Sequence, residues 1–293
     1  MRTVAAVAVT GLLLAVTAAC GSDDGGSAGA GDEKSLTIPV ASGWDEDVAV
    51  SNLWKVVLEK NGYDVTLEDM DIGVAFSGVE RGDLDVFFDT WLPTTHADYW
   101  EKIKDDVEDI GIWYDQATLN IAVPEYMKDV NSIADLKGMA DTFDGTITGI
   151  DPGAGLTRIT KEEAMPTYGL EDYDLKTSST AAMLAALKKA TDAQEPIVVT
   201  LWHPHWAYSA FPIKDLEDPE GAMGGAEEIH TIARDGFSED FPKLAEELKS
   251  FEMDDETLAE LEELVIRKHK DDPEAGVEEW LDANPEFEKA LDL

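Results

Sequence analysis

The sequence predicts an α/β protein made of two strand–helix units with a ligand cleft between them. Short apolar segments typical of buried strands alternate with segments of helical periodicity along most of the chain, and this alternation is typical of a mostly parallel sheet flanked by helices. The alternation occurs in two blocks, and 293 residues fit one large or two medium-sized domains. Apolar residues make up 44% of the chain, which is enough for a sizeable core.

The N-terminal segment Met1–Ala19 is predicted to be a signal peptide. Arg2 provides a positive start, and Val4–Ala19 is uncharged and shorter than the roughly 20 apolar residues that a membrane span needs. Cys20, the single cysteine of the chain, follows directly. A lone buried cysteine is the alternative interpretation, but the small residues before Cys20 resemble a bacterial lipobox, with Thr17 in place of the usual leucine. We therefore expect Cys20 to be lipidated and to anchor the chain to the extracytoplasmic face of the cell membrane.

The first block of elements follows a Gly/Ser-rich tether, which is predicted to be flexible over residues 20–34. Val48, Leu53 and Val56 have helical spacing, and Asn61-Gly62 supplies the stop signal of that helix. The predicted strands are Leu36–Ala41, Tyr63–Leu67 and Leu84–Thr90. The predicted helices are Asp45–Lys60, Val74–Glu80 and Thr95–Lys104.

The second block repeats the alternation and is followed by a tail of different character. Its predicted strands are Thr118–Val123, Thr146–Ile150 and Ile197–Leu201. Its predicted helices are Gly155–Tyr168, which follows a Gly-rich turn, and Ser179–Ala190. The tail is predicted to form three acidic amphipathic helices over Phe241–Phe251, Asp255–Lys270 and Val277–Leu291. Their acidic residues are interpreted as solvated faces.

The charge of the chain limits its partners. With 22 Lys+Arg against 63 Asp+Glu, the formal net charge is −41. Such a chain repels the phosphates of nucleic acids and of anionic membrane surfaces. A cationic or zwitterionic partner, or a setting of high salt, is compatible with this charge.

Three tryptophans lie where the predicted strands end. Trp44, Trp91 and Trp202 follow the strands that begin at Leu36, Leu84 and Ile197, and ligands of open α/β sheets bind beyond the carboxyl ends of the strands. Indole is the best cation–π partner, and aromatic cages hold quaternary ammonium groups, which cannot donate hydrogen bonds. The remaining tryptophans considered are assigned to the core: Trp54, Trp100, Trp113 and Trp280.

A Gly-rich turn and a histidine are candidates for binding an anion. Asp151–Leu156 precedes a predicted helix, whose first N–H groups can bind a carboxylate, although a plain tight turn is the alternative. His96, five residues after Trp91, can donate a hydrogen bond to a carboxylate in either protonation state, and a surface histidine is its alternative. The pair His203 and His205 lacks a third recognisable ligand, so no metal site is predicted. We expect no cofactor and no enzymatic activity.

These residues together resemble the substrate-binding lipoproteins of glycine betaine/proline betaine ABC importers. The resemblance covers residues 35–293. The stretches that carry it are Gly43–Asp45, Asp89–His96, Asp151–Leu156, Thr200–Trp206 and Tyr208–Gly236. One departure is His203, where relatives are expected to have a smaller or polar residue.

The resemblance implies a two-lobed periplasmic-binding-protein fold of type II that closes on its ligand. It implies a trimethylammonium cage of Trp44, Trp91 and Trp202, and a carboxylate site formed by His96 and the backbone amides of Gly155 and Leu156. The implied lobes are 35–115 plus 225–293, and 116–224. The implied partners are glycine betaine, and proline betaine with it, together with an ABC permease and its ATPase. A monomer is expected.

Three other functions compete with a betaine receptor. A choline or carnitine receptor would share the cage, but choline has no carboxylate and would leave His96 and the Gly-rich turn without a role. A secreted glycoside hydrolase could use tryptophan to stack sugars, but no carboxylate pair stands out among 63 acidic residues. A purely structural surface protein would leave the three strand-end tryptophans unexplained.

Overall fold

The computed structural model of the protein describes residues 34–293. The predicted signal peptide Met1–Ala19, the predicted lipidation site Cys20 and nearly all of the predicted tether 20–34 lie outside the described residues, so these remain predictions. Within residues 34–293, no helix has the length and apolar character that crossing a membrane requires.

The strands are β1 (Ser35–Ala41), β2 (Asp64–Met70), β3 (Val86–Leu92), β4 (Val107–Pro124), β5 (Thr146–Thr148), β6 (Asp174–Lys176), β7 (Val199–His203), β8 (Ile213–Asp215) and β9 (Glu227–Arg234). The helices are α1 (Asp45–Lys60), α2 (Ile72–Glu80), α3 (Ala97–Ile103), α4 (Gly155–Ile159), α5 (Met165–Tyr168), α6 (Thr180–Ala193), α7 (Ala207–Ala210), α8 (Phe237–Asp240), α9 (Pro242–Ser250), α10 (Asp255–Glu262), α11 (Pro273–Ala283) and α12 (Pro285–Ala290). Short 3₁₀ segments cover Ile133–Leu136 and Ala140–Phe143, and π-helical segments cover Thr160–Ala164 and Glu263–Lys268.

The sheets confirm the α/β class but are mixed rather than mostly parallel. β1 pairs with β2 in parallel, and β5 pairs in parallel with β6 and β7. The larger sheet has the order β3-β9-β4-β7-β5-β6, in which β9 is antiparallel to both of its neighbours and β7 is antiparallel to β4. The expectation of mostly parallel sheets was wrong because long strands, rather than helices, carry the chain between the two parts of the fold.

Strand β4 is the clearest of these connections. Its first half pairs with β9 and its second half pairs with β7 and β8, so one strand of 18 residues belongs to both parts of the curled sheet. The predicted lobe boundary at 115/116 falls inside this strand. The lobe limits themselves remain a prediction.

Most predicted elements are present, with shifted ends. α1 has the predicted bounds. β3 and β7 each extend two residues further than predicted, so Trp91 and Trp202 lie within the last residues of their strands rather than beyond them. The single predicted helix over Val277–Leu291 is two helices, because Pro285 begins α12 and cannot continue the backbone hydrogen bonds of α11.

The core confirms the assignment of the remaining tryptophans. Trp54, Trp113 and Trp280 are among the largest fully buried side chains of residues 34–293. Trp100 is half-buried and packs against the same core. Helix α1 comes shortly after β1 in the chain, and Trp44 is the residue directly before its first turn.

Candidate ligand-binding cavity

One cavity of about 270 Å³ brings all six of the predicted ligand-binding residues together. They are Trp44, Trp91, His96, Gly155, Leu156 and Trp202. The other residues that line the cavity are Glu46, Thr95, Leu119, Ile150 and Ala154. Sequence positions more than 150 residues apart therefore meet at one site.

Trp44 and His96 form one wall of the cavity. Trp44 is the residue before α1, and His96 is the residue before α3. Their rings stack in parallel, with centroids 5.5 Å apart and planes inclined by 5°. Phe76 contacts the imidazole in a T-shaped arrangement, at 5.3 Å between ring centroids. His96 is therefore packed against two aromatic side chains.

Trp91 and Trp202 are each oriented by a buried carboxyl group. The indole N–H of Trp91 donates to Asp89 Oδ1 at 2.7 Å, and the indole N–H of Trp202 donates to Glu46 Oε2 at 3.0 Å. A hydrogen bond at the ring nitrogen restrains the rotation of each indole, so the ring faces are pre-organised before a ligand arrives. The bond from Trp202 also joins β7 to α1.

The hydrogen bonds of His96 determine its tautomer. The backbone N–H of Trp91 donates to Nδ1 at 2.9 Å, so Nδ1 is unprotonated and Nε2 carries the proton. Nε2 is buried and has no hydrogen-bond partner within residues 34–293. Burial lowers the pKa of His96 to about 3, and the Arg158 guanidinium adds to this effect. His96 is therefore a neutral N–H donor at the cavity throughout the physiological pH range.

The Gly-rich turn, which is the second predicted anion-binding feature, leads into the start of α4. Gly155 and Leu156 are its first two residues, and the first N–H groups of a helix have no intrahelical acceptor. A Cβ atom on Gly155 would lie 2.1 Å from the carbonyl oxygen of Thr95, next to His96. Glycine is required here because two backbone segments approach each other closely.

Side chains around the cavity hold these two segments together. Arg158 Nη2 donates to the carbonyl oxygen of Thr94 at 3.2 Å, and Arg158 Nε lies 3.1 Å from Asp98 Oδ2. The Tyr99 hydroxyl donates to the carbonyl oxygen of Gly153 at 3.1 Å. These bonds place the start of α4 against the turn that carries His96.

A group of buried carboxyl groups lies behind the tryptophans. Burial raises the pKa of Asp89 to about 7 and that of Asp45 to about 6. Burial, and then the charge of Asp45, raises the pKa of Glu262 to about 8. Burial, and then the charge of Asp89, raises the pKa of Glu46 and of Asp47 well above the usual range. These carboxyl groups beside the aromatic rings therefore hold their protons more tightly than solvated carboxyl groups do.

The two histidines of the His-Pro-His run face different partners. His203 Nε2 lies 2.8 Å from Asp215 Oδ2, and its ring stacks on Tyr208. His205 lies against Trp202 edge-on, and its Nε2 is 3.5 Å from Asp45 Oδ2. His203 does not line the cavity, so its departure from the family pattern leaves the cavity wall unchanged. Within residues 34–293, no group of three or more His, Cys, Asp or Glu side chains is arranged to hold a metal ion.

Sequence reasoning missed four polar residues at the site. Glu46 and Thr95 line the cavity, Asp89 supports Trp91, and Glu227 accepts hydrogen bonds from the backbone N–H groups of Thr94 and Thr95 at 2.7 and 2.8 Å. The signal available for Glu46 and Asp89 was their position two residues from a predicted cage tryptophan. Among 63 acidic residues, that signal was too weak to single them out.

Residues 34–283 match the family model described as the substrate binding domain of ABC-type glycine betaine transport systems. The chain is 42% identical over 153 residues to the glycine betaine/carnitine transport binding protein GbuC of Listeria monocytogenes. That match covers 51% of this chain and 50% of the relative, so the chain spans about half the length of this curated relative.

Solved structures of betaine-binding proteins are also similar to this chain. The glycine betaine/L-proline-binding protein ProX of Borrelia burgdorferi superposes with a TM-score of 0.82 at 33% identity, over 87% of this chain and 95% of that chain. Lactococcal OpuAC, in its closed conformation complexed with glycine betaine, gives a TM-score of 0.80 at 31% identity, over 87% of this chain and 98% of that chain. A choline-binding protein of an ABC transporter shares the fold, with a TM-score of 0.78 at 24% identity. The two-lobed periplasmic-binding-protein fold is therefore confirmed.

Proposed function

The chain belongs to the family of substrate-binding domains of ABC-type glycine betaine transport systems, and from this premise we propose that it captures glycine betaine in the cavity between Trp44 and Leu156. The observation that carries this proposal is the convergence of aromatic faces and hydrogen-bond donors in one small cavity. Trp44, Trp91 and Trp202 contact the trimethylammonium group through their ring faces.

The opposite end of the cavity receives the carboxylate. His96 Nε2–H is a buried donor without a protein partner within residues 34–293, and such a group has a cost of about 1–3 kcal/mol when it stays unpaired. The N–H groups of Gly155 and Leu156 add two donors at the same end. A ligand with a carboxylate close to its ammonium group satisfies both ends at once, whereas choline offers only a neutral hydroxyl oxygen to the donors of the anion end.

The size of the cavity favours a compact ligand. The space between the lining atoms is about 270 Å³, and part of it is open to solvent. Glycine betaine and proline betaine both place the two charges a single carbon apart. Carnitine separates them by a longer chain, so we expect it to bind more weakly.

Titration of the purified chain with glycine betaine, proline betaine, carnitine and choline tests this proposal. Intrinsic tryptophan fluorescence reports on the site directly, because three tryptophans line the cavity. We expect a saturable change with both betaines at low and at molar salt, and a much weaker response to choline. Saturation with choline alone would contradict the carboxylate end of the site, and no response to any ligand from folded protein would contradict the function.

We further propose that Cys20 is lipidated and that the chain delivers its ligand, as a monomer, to an ABC permease and its ATPase at the extracytoplasmic face of the cell membrane. The sequence pattern around Cys20 supports this proposal. Mass spectrometry of the N-terminal peptide from the membrane fraction should detect an acylated Cys20, and a Cys20→Ala variant should leave that fraction. An unmodified Cys20 in the membrane fraction would contradict the anchor without affecting the ligand proposal.

A further inference from the structure

Glu46 introduces a carboxyl group among the aromatic rings of the cavity. Its side chain lines the cavity together with Trp44, Trp91 and Trp202, and the residue is only 1% exposed. Its Oε2 accepts the indole N–H of Trp202 at 3.0 Å. The aromatic faces offer a quaternary ammonium group only partial negative charge, whereas an ionised Glu46 offers a full one.

Among residues 34–293, none of the groups that act on the pKa of Glu46 carries a positive charge. The charged groups that act on it are Asp89 on β3 and Glu262 on α10, and both disfavour its ionisation. The other titratable groups around the carboxyl cluster are Asp45 and Asp47 on α1, His205 after β7 and His96 before α3. Burial keeps both histidines neutral by lowering the pKa of each to about 3.

The polar atoms at this site are incompletely paired. Oδ2 of Asp89 and Nε2 of His96 are buried and have no hydrogen-bond partner within the described chain. Asp89 holds Trp91 in the same way that Glu46 holds Trp202. Carboxyl groups thus lie on the side of the indole rings, with Glu46 lining the cavity and Asp89 behind Trp91, and an unpaired donor lies on the side of His96. This polarity matches that of a zwitterion.

Building on the function proposed above, we propose that Glu46 determines specificity for cationic ligands by giving up its proton when a quaternary ammonium group enters the cavity. The O–H bond of the Glu46 carboxyl group breaks, its proton passes to water, and the carboxylate pairs with the ammonium charge through the cavity. Burial and the neighbouring Asp89 raise the pKa of Glu46, which favours its protonated form before the ligand enters. A ligand of the same shape without the positive charge gains no such pairing.

Two consequences follow for binding. Because the ligand-bound state holds fewer protons than the free state, affinity rises with pH, by up to about tenfold per pH unit for one released proton. The ammonium group does not titrate and the carboxyl group of a betaine is ionised over this range, so the dependence belongs to the protein. The isostere 3,3-dimethylbutyrate, in which carbon replaces the ammonium nitrogen, keeps the carboxylate but lacks the positive charge. Above about pH 6, where its own carboxyl group is ionised, it should bind without this dependence.

The experiment compares the full chain with its Glu46→Gln variant between about pH 5 and pH 8, by calorimetric titration with glycine betaine and with 3,3-dimethylbutyrate. Gln keeps the size of the side chain and an oxygen that accepts the indole N–H of Trp202. The matched control is Asp83→Asn, which removes one carboxylate whose side chain is 65% exposed. We expect the wild type and the control to bind glycine betaine more tightly as pH rises, and the Glu46→Gln variant to lose most of this slope.

A measurement on the unmodified protein keeps the test independent of how well the variant folds. Titration in two buffers of different ionisation enthalpy gives the number of protons released per ligand, and we expect a value approaching about one near neutral pH. Binding of glycine betaine with no proton release, or an unchanged slope in folded Glu46→Gln protein, would overturn the role of Glu46 and leave the proposed function standing. Failure of the wild type to bind glycine betaine at any pH would instead overturn the proposed function.

Discussion

The imidazole of His96 lies parallel to the indole of Trp44, with 5.5 Å between the ring centroids. One ring belongs to the proposed cation cage and the other to the proposed carboxylate site, so the two ends of the cavity share a wall. This arrangement fixes the spacing between them. Under the function proposed above, we expect a short zwitterion, whose two charges are separated by a single carbon, to fit that spacing.

Removing the ring of Trp202 should weaken the binding of every quaternary ammonium ligand. For Trp202→Ala we expect Kd to rise roughly tenfold or more, because one strong cation–π contact is worth about 0.5–2 kcal/mol. Fluorescence or calorimetric titration with glycine betaine measures this. Trp206→Phe is the matched control, since Trp206 also donates to a carboxylate, that of Asp45, but does not line the cavity. Equal losses in both variants would contradict the cage.

A His96→Asn variant should discriminate between betaine and choline. Asn keeps an acceptor for the backbone N–H of Trp91 but removes the Nε2 donor. A hydrogen bond to a charged group contributes about 1.5–3 kcal/mol, so the Kd for glycine betaine should rise about tenfold or more. The Kd for choline should stay close to that of the wild type. A similar loss for both ligands would indicate that His96 acts by packing against Trp44 alone.

The pH dependence of the His96 contribution should be flat. The folded protein holds the pKa of His96 at about 3, so the imidazole stays neutral between about pH 5 and pH 8. The ratio of Kd values between His96→Asn and wild type should therefore be constant over that range. A ratio that changes near the ordinary histidine pKa of about 6.5 would contradict a buried, neutral His96.

Gly155→Ala should weaken binding strongly without unfolding the protein. The added methyl group would lie 2.1 Å from the Thr95 carbonyl oxygen, which prevents the close approach that forms the cavity. Overpacking of this kind costs about 1–3 kcal/mol, and we expect Kd to rise about tenfold to a hundredfold. Gly153→Ala is the control, because a Cβ there meets its nearest atom, in Ile72, at 3.8 Å. Normal binding by Gly155→Ala would argue against this closed arrangement.

Glu262→Gln should stabilise the protein at alkaline pH. Glu262 has a pKa of about 8 in the folded chain because it is buried near Asp45, whereas an unfolded glutamate has a pKa of about 4.3. The folded state therefore holds the extra proton, and stability declines as pH rises from about 4 to 8. The variant lacks this decline, and its free energy of unfolding should exceed that of the wild type by about 1–3 kcal/mol at pH 8 and by little at pH 5.

Denaturant unfolding of both proteins at the two pH values measures this difference. Glu279→Gln serves as the control, because the Glu279 carboxylate is exposed and its pKa is lowered by Lys268 and His269. That substitution should give no gain at alkaline pH. A Glu262→Gln variant that gains nothing as pH rises would show that Glu262 is not protonated in the folded chain.

Much of the site could be predicted because the relevant residues carry a strong local signal. The three tryptophans, His96 and the Gly-rich turn stand at strand ends or helix starts, and these places converge in an α/β fold. The buried acids were missed for a physical reason: a carboxyl group that is solvated and one that is buried have the same letter in the sequence. Only the packing of α1 against β3 and β7 distinguishes Glu46 from the many exposed acids of the chain.

The strands likewise divide into those that local sequence patterns predict and those whose pairing such patterns do not predict. Strands such as β1 and β7 are short apolar runs that local periodicity identifies, and α1 has the bounds that its pattern predicts. The direction and the partners of β4 and β9 depend on pairing between residues more than 100 positions apart. Local sequence patterns carry no information about such pairings, and this is why mostly parallel sheets were expected.

By itself, the sequence determined the alternation of elements, the apolar core and the chemistry of the side chains proposed to bind the ligand, because each depends on residue type and short-range spacing. The tertiary structure decided which of those side chains meet, which tautomer His96 adopts and which acids lose their solvent. These properties depend on contacts between distant segments, such as Trp202 with Glu46 and Gly155 with Thr95. Burial raises the pKa of the carboxyl groups beside the cavity, and no local sequence pattern shows which carboxyl groups are buried.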